Sequence, residues 1–255
     1  MRTDRRKELA AYIAHHGEVT MTELCDAFHV SMNTIRADVA ALEETGTVTK
    51  VYGGVRSAMQ QEVPLFTLRT HQHSDAKWAI ARAAARHISD GDTLFLDAGT
   101  TTMQVLEALP MDIRLTVVTG NVQVLPQAHG HPNVELVVLP GIYNRRTGSV
   151  SGVSTIDFLS QHHFIKALMA TTGLSADGKL NVSSYLEYEI KRHAIQQSDE
   201  CILLCDSSKF GASGLIGYGT LNDIDLLITD RNCSDELKTL CDRCSTVLEI
   251  ADGIV

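Results

Sequence analysis

The feature that most constrains the fold is a regular alternation, between residues 93 and 250, of short apolar runs with segments of helical periodicity. The runs at 115–119 and 134–139 are continuous and rich in Leu and Val, which is typical of strands covered on both faces. Strands that alternate with helices in this way pair in parallel. We therefore predict a mostly parallel α/β domain that binds its ligand beyond the carboxyl ends of the strands.

The alternation sets the predicted elements and the domain boundaries. Strands are predicted at 93–96, 115–119, 134–139, 165–170, 201–205, 226–229 and 246–250. Helices are predicted at 75–87, 103–109, 121–128, 152–161, 185–197 and 234–241, with Asp75 as the cap of the first. Residues 58–74 lack periodicity, so they are predicted to link a domain at 1–57 to the α/β domain at 75–255, with a cluster at 64–69 able to pack on a neighbouring domain.

The loop after the first strand, residues 97–102, has the composition of an anion site. Gly99 allows a tight turn and close approach to a ligand. Thr100, Thr101 and Thr102 place hydroxyls and unpaired N–H groups at a helix start, where the helix dipole is positive. We predict a phosphate cradle here; an ordinary capped helix start is the alternative.

Polar residues also follow the other strands and would converge on the same edge of the sheet. Lys209 and Lys191 would supply positive charge to a phosphorylated ligand, while Asp97, Asn121, Glu187 and Asp206 would hydrogen-bond to hydroxyls. For Glu187 and Lys191 the alternative is a solvated ion pair, since they are one helical turn apart.

The first sixty residues have the pattern of a winged helix-turn-helix. A helix at about 2–16 ends at Gly17, a second at 20–27 has the capping box Thr20–Glu23, and a third begins at Ser31. A strand at 47–52 and a Gly-Gly turn follow as the wing. The residues predicted to contact DNA are Thr20, Ser31, Asn33, Thr34, Arg36, Lys50 and Tyr52.

The charge does not favour DNA binding. The net charge is −9, and residues 1–57 hold seven basic against eight acidic side chains. Phosphate contacts supply much of the affinity for DNA, so we expect oriented contacts and a second subunit, in a dimer or tetramer, to compensate. A module that binds another protein is the alternative.

The run from Val30 to Val39, with Ser31, Thr34, Ile35, Arg36 and Asp38, resembles the recognition helix of the DeoR family of bacterial transcriptional regulators, and Gly53–Gly54 its wing. The loop at 97–102, Thr119 with Asn121, the helix with Glu187 and Lys191, and residues 206–211 resemble that family's effector domain. Ala37 departs from the pattern, because many members have a second basic residue there.

The resemblance implies a repressor of a carbohydrate-utilisation operon, with double-stranded operator DNA as partner and a phosphorylated sugar as effector. It also implies a sensor domain similar in fold to ribose-5-phosphate isomerase. An isomerase fused to a DNA-binding domain stays open, because Asp97, Glu187 and Asp206 could act as bases. So does a dimerisation body that binds no ligand.

Other signals are expected to be inert. Cys241 and Cys244 have redox spacing without a second pair, and no His pair has metalloprotease spacing. Arg145 and Arg146 are expected in a solvated loop. We expect no catalytic residue, metal or cofactor, and a cytoplasmic protein without a membrane span.

Overall fold

The computed structural model describes residues 5–6, 8–10, 12–13, 18–44, 47–51, 53–57 and 66–251. The chain divides into two compact units between Val63 and Pro64. Within the described ranges, no helix is both long and apolar enough to cross a bilayer.

The first unit is a small helical domain with a three-stranded antiparallel sheet. Its elements are α1 (helical at 5–6, 8–10 and 12–13), β1 (Glu18–Thr20), α2 (Met21–Phe28), α3 (Met32–Glu44), β2 (Val48–Val51) and β3 (Gly54–Ser57). The sheet order is β1-β3-β2. The predicted capping box is present: Thr20 N–H and hydroxyl both donate to Glu23, and Glu23 N–H donates back to the Thr20 hydroxyl.

Asp38 holds α1 against α3. It is 1% exposed and accepts hydrogen bonds from Arg5 Nε at 2.8 Å and Arg6 Nε at 3.0 Å. Burial raises the pKa of Asp38, but the hydrogen bonds from the two guanidinium groups outweigh it and hold the pKa below its ordinary value. This residue of the recognition-helix motif therefore has a structural contact within the domain.

The second unit alternates strands and helices, as predicted. Its helices are α4 (Phe66–His71), α5 (Ser74–Ala85), α6 (Met103–Ala108), α7 (Leu125–Ala128), α8 (Val153–Ser160), α9 (Tyr185–Gln196) and α10 (Asp235–Cys244). The long strands are β4 (Thr93–Leu96), β5 (Leu115–Thr119), β6 (Val134–Val138), β9 (Phe164–Met169), β12 (Ser198–Leu204), β14 (Leu226–Thr229) and β15 (Val247–Ile250). Helix α4 lies inside the stretch predicted to be a linker. Asp75 is in the first turn of α5, whose N-cap is His73, so the predicted cap is wrong.

These seven strands form one sheet in the order β15-β14-β12-β9-β4-β5-β6, and every pairing is parallel. The predicted fold class is confirmed. The chain runs outward from β4 through β5 to β6, then returns to place β9 on the other side of β4. The strand order reverses between β4 and β9, and such a reversal opens a crevice for a ligand at the carboxyl ends of the two strands.

Alternate residues of each strand enter two separate cores. Leu94 and Leu96 pack with Ile80 and Leu106 on one face of the sheet, while Phe95 packs with Phe164 on the other. Two smaller sheets were not predicted. They are the hairpin β7 (Ile142–Asn144) with β8 (Ser149–Ser151), and a sheet of β10 (Gly173–Leu174), β11 (Lys179–Val182) and β13 (Ile216–Thr220).

Candidate functional site

The loop between β4 and α6 presents unpaired main-chain donors at the sheet reversal. Thr102 Oγ1 donates to Asp97 O at 2.6 Å and accepts from Gly99 N at 3.0 Å, which fixes the loop. The N–H groups of Thr100, Thr101 and Thr102 find no acceptor in the part of the chain the structure describes, although these residues are at most 6% exposed. Buried N–H groups are nearly always paired, so three consecutive open donors suit an anion.

Gly99 is required for a different reason than the sequence suggested. A Cβ on Gly99 would lie 2.6 Å from Ala170 Cβ and 3.0 Å from Thr102 Oγ1. The space beside Gly99 is therefore filled by the chain itself, at the end of β9, and is not kept open for a ligand. These contacts concern the side-chain position of Gly99, so the close approach of its main chain to a ligand stays a prediction.

Asp97 and Lys191 form a buried ion pair at the reversal. The Lys191 ammonium donates to Asp97 Oδ2 and, at 2.7 Å, to Ala170 O. The Asp97 carboxylate also accepts from the N–H groups of Ala98 and Ala170, each at 2.9 Å. Lys191 therefore pairs with Asp97 on the neighbouring strand end, and the alternative of a solvated pair with Glu187 is wrong. Asp97 and Lys191, both predicted to bind the effector, are hydrogen-bonded to each other in this structure.

Asn121 connects the ends of β4 and β5. Its Nδ2 donates to Gly99 O at 3.2 Å, its Oδ1 accepts from Gln123 N at 3.1 Å, and its N–H donates to Thr119 Oγ1 at 3.0 Å. It also forms an isolated β-bridge with Ser149 of the hairpin. Asn121 is fully buried, so its present contacts position the loop that carries the open N–H groups.

Asp206 and Lys209 lie at the end of β12, as predicted. Asp206 Oδ1 accepts from Ser208 N at 3.1 Å, in the manner of a helix cap. A cleft of about 420 Å³ opens beside Asp206. Its lining comprises His71, His73, Ser74, Asp75, Ala76, Asp206, Ser207, Asp230 and Asn232.

Glu187 lies at the start of α9, beside the buried ion pair. It lines a small cavity with Asp97 and Lys191, and its Oε2 accepts from Ser183 Oγ at 3.3 Å. The structure thus brings the predicted effector residues to one edge of the sheet. Their contacts with a ligand stay a prediction.

Two cations at this edge were missed from the sequence. Lys77 on α5 is 3% exposed, and burial lowers its pKa to about 8, with Asp206 opposing the shift and Lys209 and Arg69 adding to it. Burial also lowers the pKa of Arg69, against the attraction of Glu187 and Asp97. The signal for Lys77 was available, because it shares the apolar face of its helix with Ile80, Ala81 and Ala84.

The predicted DNA-reading face is exposed on α3. Asn33 and Arg36 are exposed, whereas Ile35 and Val39 on the same helix are fully buried in the core of the first unit. A helix with this division can present polar side chains to a major groove. Tyr52 lies outside the described residues, so its predicted contact with DNA has no structural counterpart.

Other residues predicted to contact DNA already have partners within the first unit. Ser31 Oγ and Thr34 Oγ1 are 2.9 Å apart, and Ser31 also accepts from Thr34 N at 3.3 Å. The hydroxyl of Thr20 belongs to the capping box of α2. The ammonium of Lys50 pairs with Glu43. Contacts of these groups with phosphate stay predictions, and Lys50 would have to exchange its partner.

The cysteines have the features of packing thiols. Burial raises the pKa of Cys201 to about 12 and that of Cys241 to about 11. Across the described residues, no group of three or more His, Cys, Asp or Glu side chains could hold a metal ion.

Comparison with known families decides the assignment of both units. The model of the DeoR-like helix-turn-helix domain matches residues 5–61, and that of the DeoR C terminal sensor domain matches residues 72–231. The chain belongs to the DeoR family. The predicted family is confirmed, and the chain is a DNA-binding transcriptional regulator.

Similar proteins span nearly the whole chain. The HTH-type transcriptional regulator IolR of Bacillus subtilis is 37% identical, over 94% of this chain and 96% of its own length. The transcriptional repressor GlcR of the same organism is 31% identical, over 94% and 93%. The glycerol-3-phosphate regulon repressor of Escherichia coli is 30% identical, over 89% and 90%.

Among solved structures, ribose 5-phosphate isomerase A from Methanocaldococcus jannaschii superposes on 55% of this chain and 55% of its own, with a TM-score of 0.39 and 14% identity. That superposition is too loose to bear on the function of this chain.

Proposed function

We propose that this DeoR-family regulator represses a carbohydrate-utilisation operon, and that a phosphorylated sugar or sugar derivative bound in the α/β unit relieves the repression. The observation that carries this proposal is the row of open N–H groups at Thr100, Thr101 and Thr102, at the reversal of the strand order. A phosphate monoester offers three acceptor oxygens and so suits three convergent donors.

The charges around the loop support an anionic ligand. Lys77 is close enough to Asp206 and Lys209 for their charges to shift its pKa, so two ammonium groups lie near one another at this edge. An added anion would offset that repulsion, which makes an anion more favourable here than a neutral sugar.

A regulatory role fits the carboxylates better than isomerase chemistry. A catalytic base must reach the proton it removes, and its lone pairs must be available. The Asp97 carboxylate accepts two N–H groups and an ammonium, and Asp206 serves as a cap. Relatives that are named regulators and repressors support the same view. We propose that the protein acts on operator DNA in the cytoplasm as a dimer or tetramer, without enzymatic activity.

Thermal unfolding tests the ligand class. Glucose 6-phosphate, fructose 6-phosphate, fructose 1-phosphate, ribose 5-phosphate and glycerol 3-phosphate would each be compared with its unphosphorylated counterpart. A ligand at a hundred times its Kd stabilises by about 2.7 kcal/mol, or roughly 5–10 °C for a domain of this size. At least one phosphorylated compound should raise the midpoint while its counterpart does not. Equal shifts from both members of every pair would contradict the proposal.

A further inference from the structure

Lys77 is a buried cation with hydrogen-bonding capacity to spare. Its ammonium donates to the main-chain carbonyl of Arg69, and among the described residues it has no second acceptor and no carboxylate within salt-bridge distance. An ammonium has three donors, so two of them are open. A buried, incompletely paired charge is costly. The residues directly before Lys77 on α5, Ser74 to Ala76, line one cleft with Asp206 at the edge assigned to the effector, and the charges of Asp206 and Lys209 act on the Lys77 ammonium.

The carbonyl that accepts from Lys77 belongs to α4, which lies inside the predicted linker at 58–74 and is the first described element of the second unit. Helix α4 docks on the tip of the β7–β8 hairpin. Phe66 N donates to Arg146 O at 2.9 Å, and the Phe66 side chain is buried. Gly148 is at φ +72°, and a Cβ there would lie 2.8 Å from the Phe66 ring. Only glycine satisfies both the backbone conformation and the contact with Phe66.

The hairpin is in turn bonded to the loops of the effector site. Val150 N donates to Gly120 O at 2.7 Å, and Ser149 forms a β-bridge with Asn121, whose side chain donates to Gly99 O at 3.2 Å. Helix α4 is therefore held by two contacts. Lys77 bonds to it directly, and the hairpin that packs against it is bonded to the effector loops.

We propose that Lys77 is a latch shared between the effector and α4: an anionic effector takes the ammonium from the Arg69 carbonyl, and α4 loosens from the hairpin. The part of the predicted linker that precedes α4 in the sequence then receives the signal. This inference rests on the proposed function, because it assumes that the anion binds at residues 100–102.

The physical basis is competition for one donor group. A phosphate is a far stronger acceptor for an ammonium than a peptide carbonyl, since the hydrogen bond is charge-assisted on both sides. A six-residue helix has little stability of its own and depends on tertiary contacts. Loss of the bond to Arg69 therefore shifts the population of docked α4, which gives the ligand the differential affinity that a switch requires.

Hydrogen exchange on the full chain without ligand or DNA tests the latch. Lys77→Met keeps the length and apolar stem of the side chain but removes the ammonium. Amides at residues 66–71 should exchange at least tenfold faster than in wild type. The matched control is Lys166→Met, which removes another largely buried ammonium, bonded to Asp92 near the amino ends of the strands. In that variant the amides of α4 should exchange as in wild type. Unchanged exchange of α4 in a folded Lys77→Met protein would overturn the proposal.

If Lys77→Met does not fold, the phosphate titration of wild type decides the latch. Gly148→Ala forces Phe66 away while leaving Lys77 in place, so it tests only the docking of α4 on the hairpin. It should also speed exchange in α4. Inorganic phosphate is the probe for the anion. In wild type it should slow exchange at residues 100–102 and speed it at 66–71. Protection of 100–102 with no change in α4 would refute the latch. No protection at 100–102 would count against the phosphate site of the proposed function, and the hold of Lys77 on α4 would still be decided by Lys77→Met.

Discussion

The Lys191 ammonium donates a hydrogen bond to the Asp97 carboxylate at the reversal of the strand order, and both side chains are buried there. The pair joins the end of β4 to α9, and through Ala170 it also joins the end of β9. Because the open N–H groups at 100–102 begin three residues after Asp97, the ion pair fixes the position of the loop on which the proposed function depends.

The first prediction concerns this pair. Lys191→Met leaves Asp97 charged and without its ammonium, which should lower the free energy of unfolding by about 3–5 kcal/mol. Adding Asp97→Asn should restore at least half of that, because Asn keeps a side-chain acceptor for a backbone N–H. Urea unfolding of the three proteins measures both steps. A loss below about 1 kcal/mol in Lys191→Met would show that the pair is not a structural support.

The second prediction concerns pH. With a pKa of about 8, Lys77 loses its charge as the pH rises above 8, while a sugar phosphate is already ionised, since its second pKa is about 6. Effector affinity should therefore fall above pH 8, by up to tenfold per unit. Lys77→Arg stays charged and should flatten the profile. Calorimetric titrations between pH 7 and 9.5 test this; an affinity in wild type that is constant over that range would contradict it.

The lowered pKa of Lys77 makes the free energy of unfolding depend on pH in the opposite direction to the effector affinity. The pKa of Lys77 is lowered from 10.5 to about 8 on folding, so between those values the unfolded chain binds more protons than the folded one. The contribution of Lys77 to the free energy of unfolding should accordingly rise with pH in this window.

The third prediction is that operator binding requires Arg36. Arg36→Ala should weaken binding by about 1–3 kcal/mol if the side chain makes a bidentate base contact. The matched control is Arg82→Ala, an exposed arginine on α5 whose loss changes the net charge equally. Fluorescence anisotropy on an operator fragment selected from genomic DNA compares them. If both substitutions weaken operator binding equally, Arg36 contributes only through its charge and makes no specific contact with the operator.

Much of the α/β unit could be predicted because inner strands such as β5 and β14 are buried on both faces and have continuous apolar sequences. The strand at 115–119 agrees residue for residue, and the one at 226–229 does so too. The hairpin was missed because Ile142 and Tyr143 are exposed and show no alternation. Helix α4 was missed because it depends on the contact of Phe66 with Gly148, which local sequence does not reveal.

The position of the candidate residues at one edge of the sheet was predictable, but their pairing with one another was not. Loops that follow parallel strands must meet at one edge, which placed Asp97, Asn121 and Asp206 together. Whether Lys191 pairs with Asp97 or with Glu187 depends on how α9 packs across β9. The sequence alone favours Glu187 as much as Asp97, because Glu187 and Lys191 are four residues apart on one helix.

The fourth prediction is that the protein is at least a dimer. One recognition helix reads few base pairs, and residues 1–57 carry seven basic against eight acidic side chains, a net charge of −1. Two linked half-sites would supply the missing affinity. Light scattering at micromolar concentration should give at least twice the mass of one chain. A single-chain mass, both free and on operator DNA, would contradict this.

The central claim is that a phosphate bound at residues 100–102 releases the operator. The most direct measurement is anisotropy of labelled operator fragment, titrated with the sugar phosphate that stabilises the protein and with its unphosphorylated form. Thr101→Asp places a negative charge beside the open N–H groups, and Thr101→Asn is its neutral control of equal size. Only the phosphorylated compound should raise the operator Kd, by tenfold or more. The operator affinity of Thr101→Asp should not change when the ligand is added, while that of Thr101→Asn should fall as in wild type. Release of the operator from Thr101→Asp at the wild-type ligand concentration would show that the phosphate binds elsewhere.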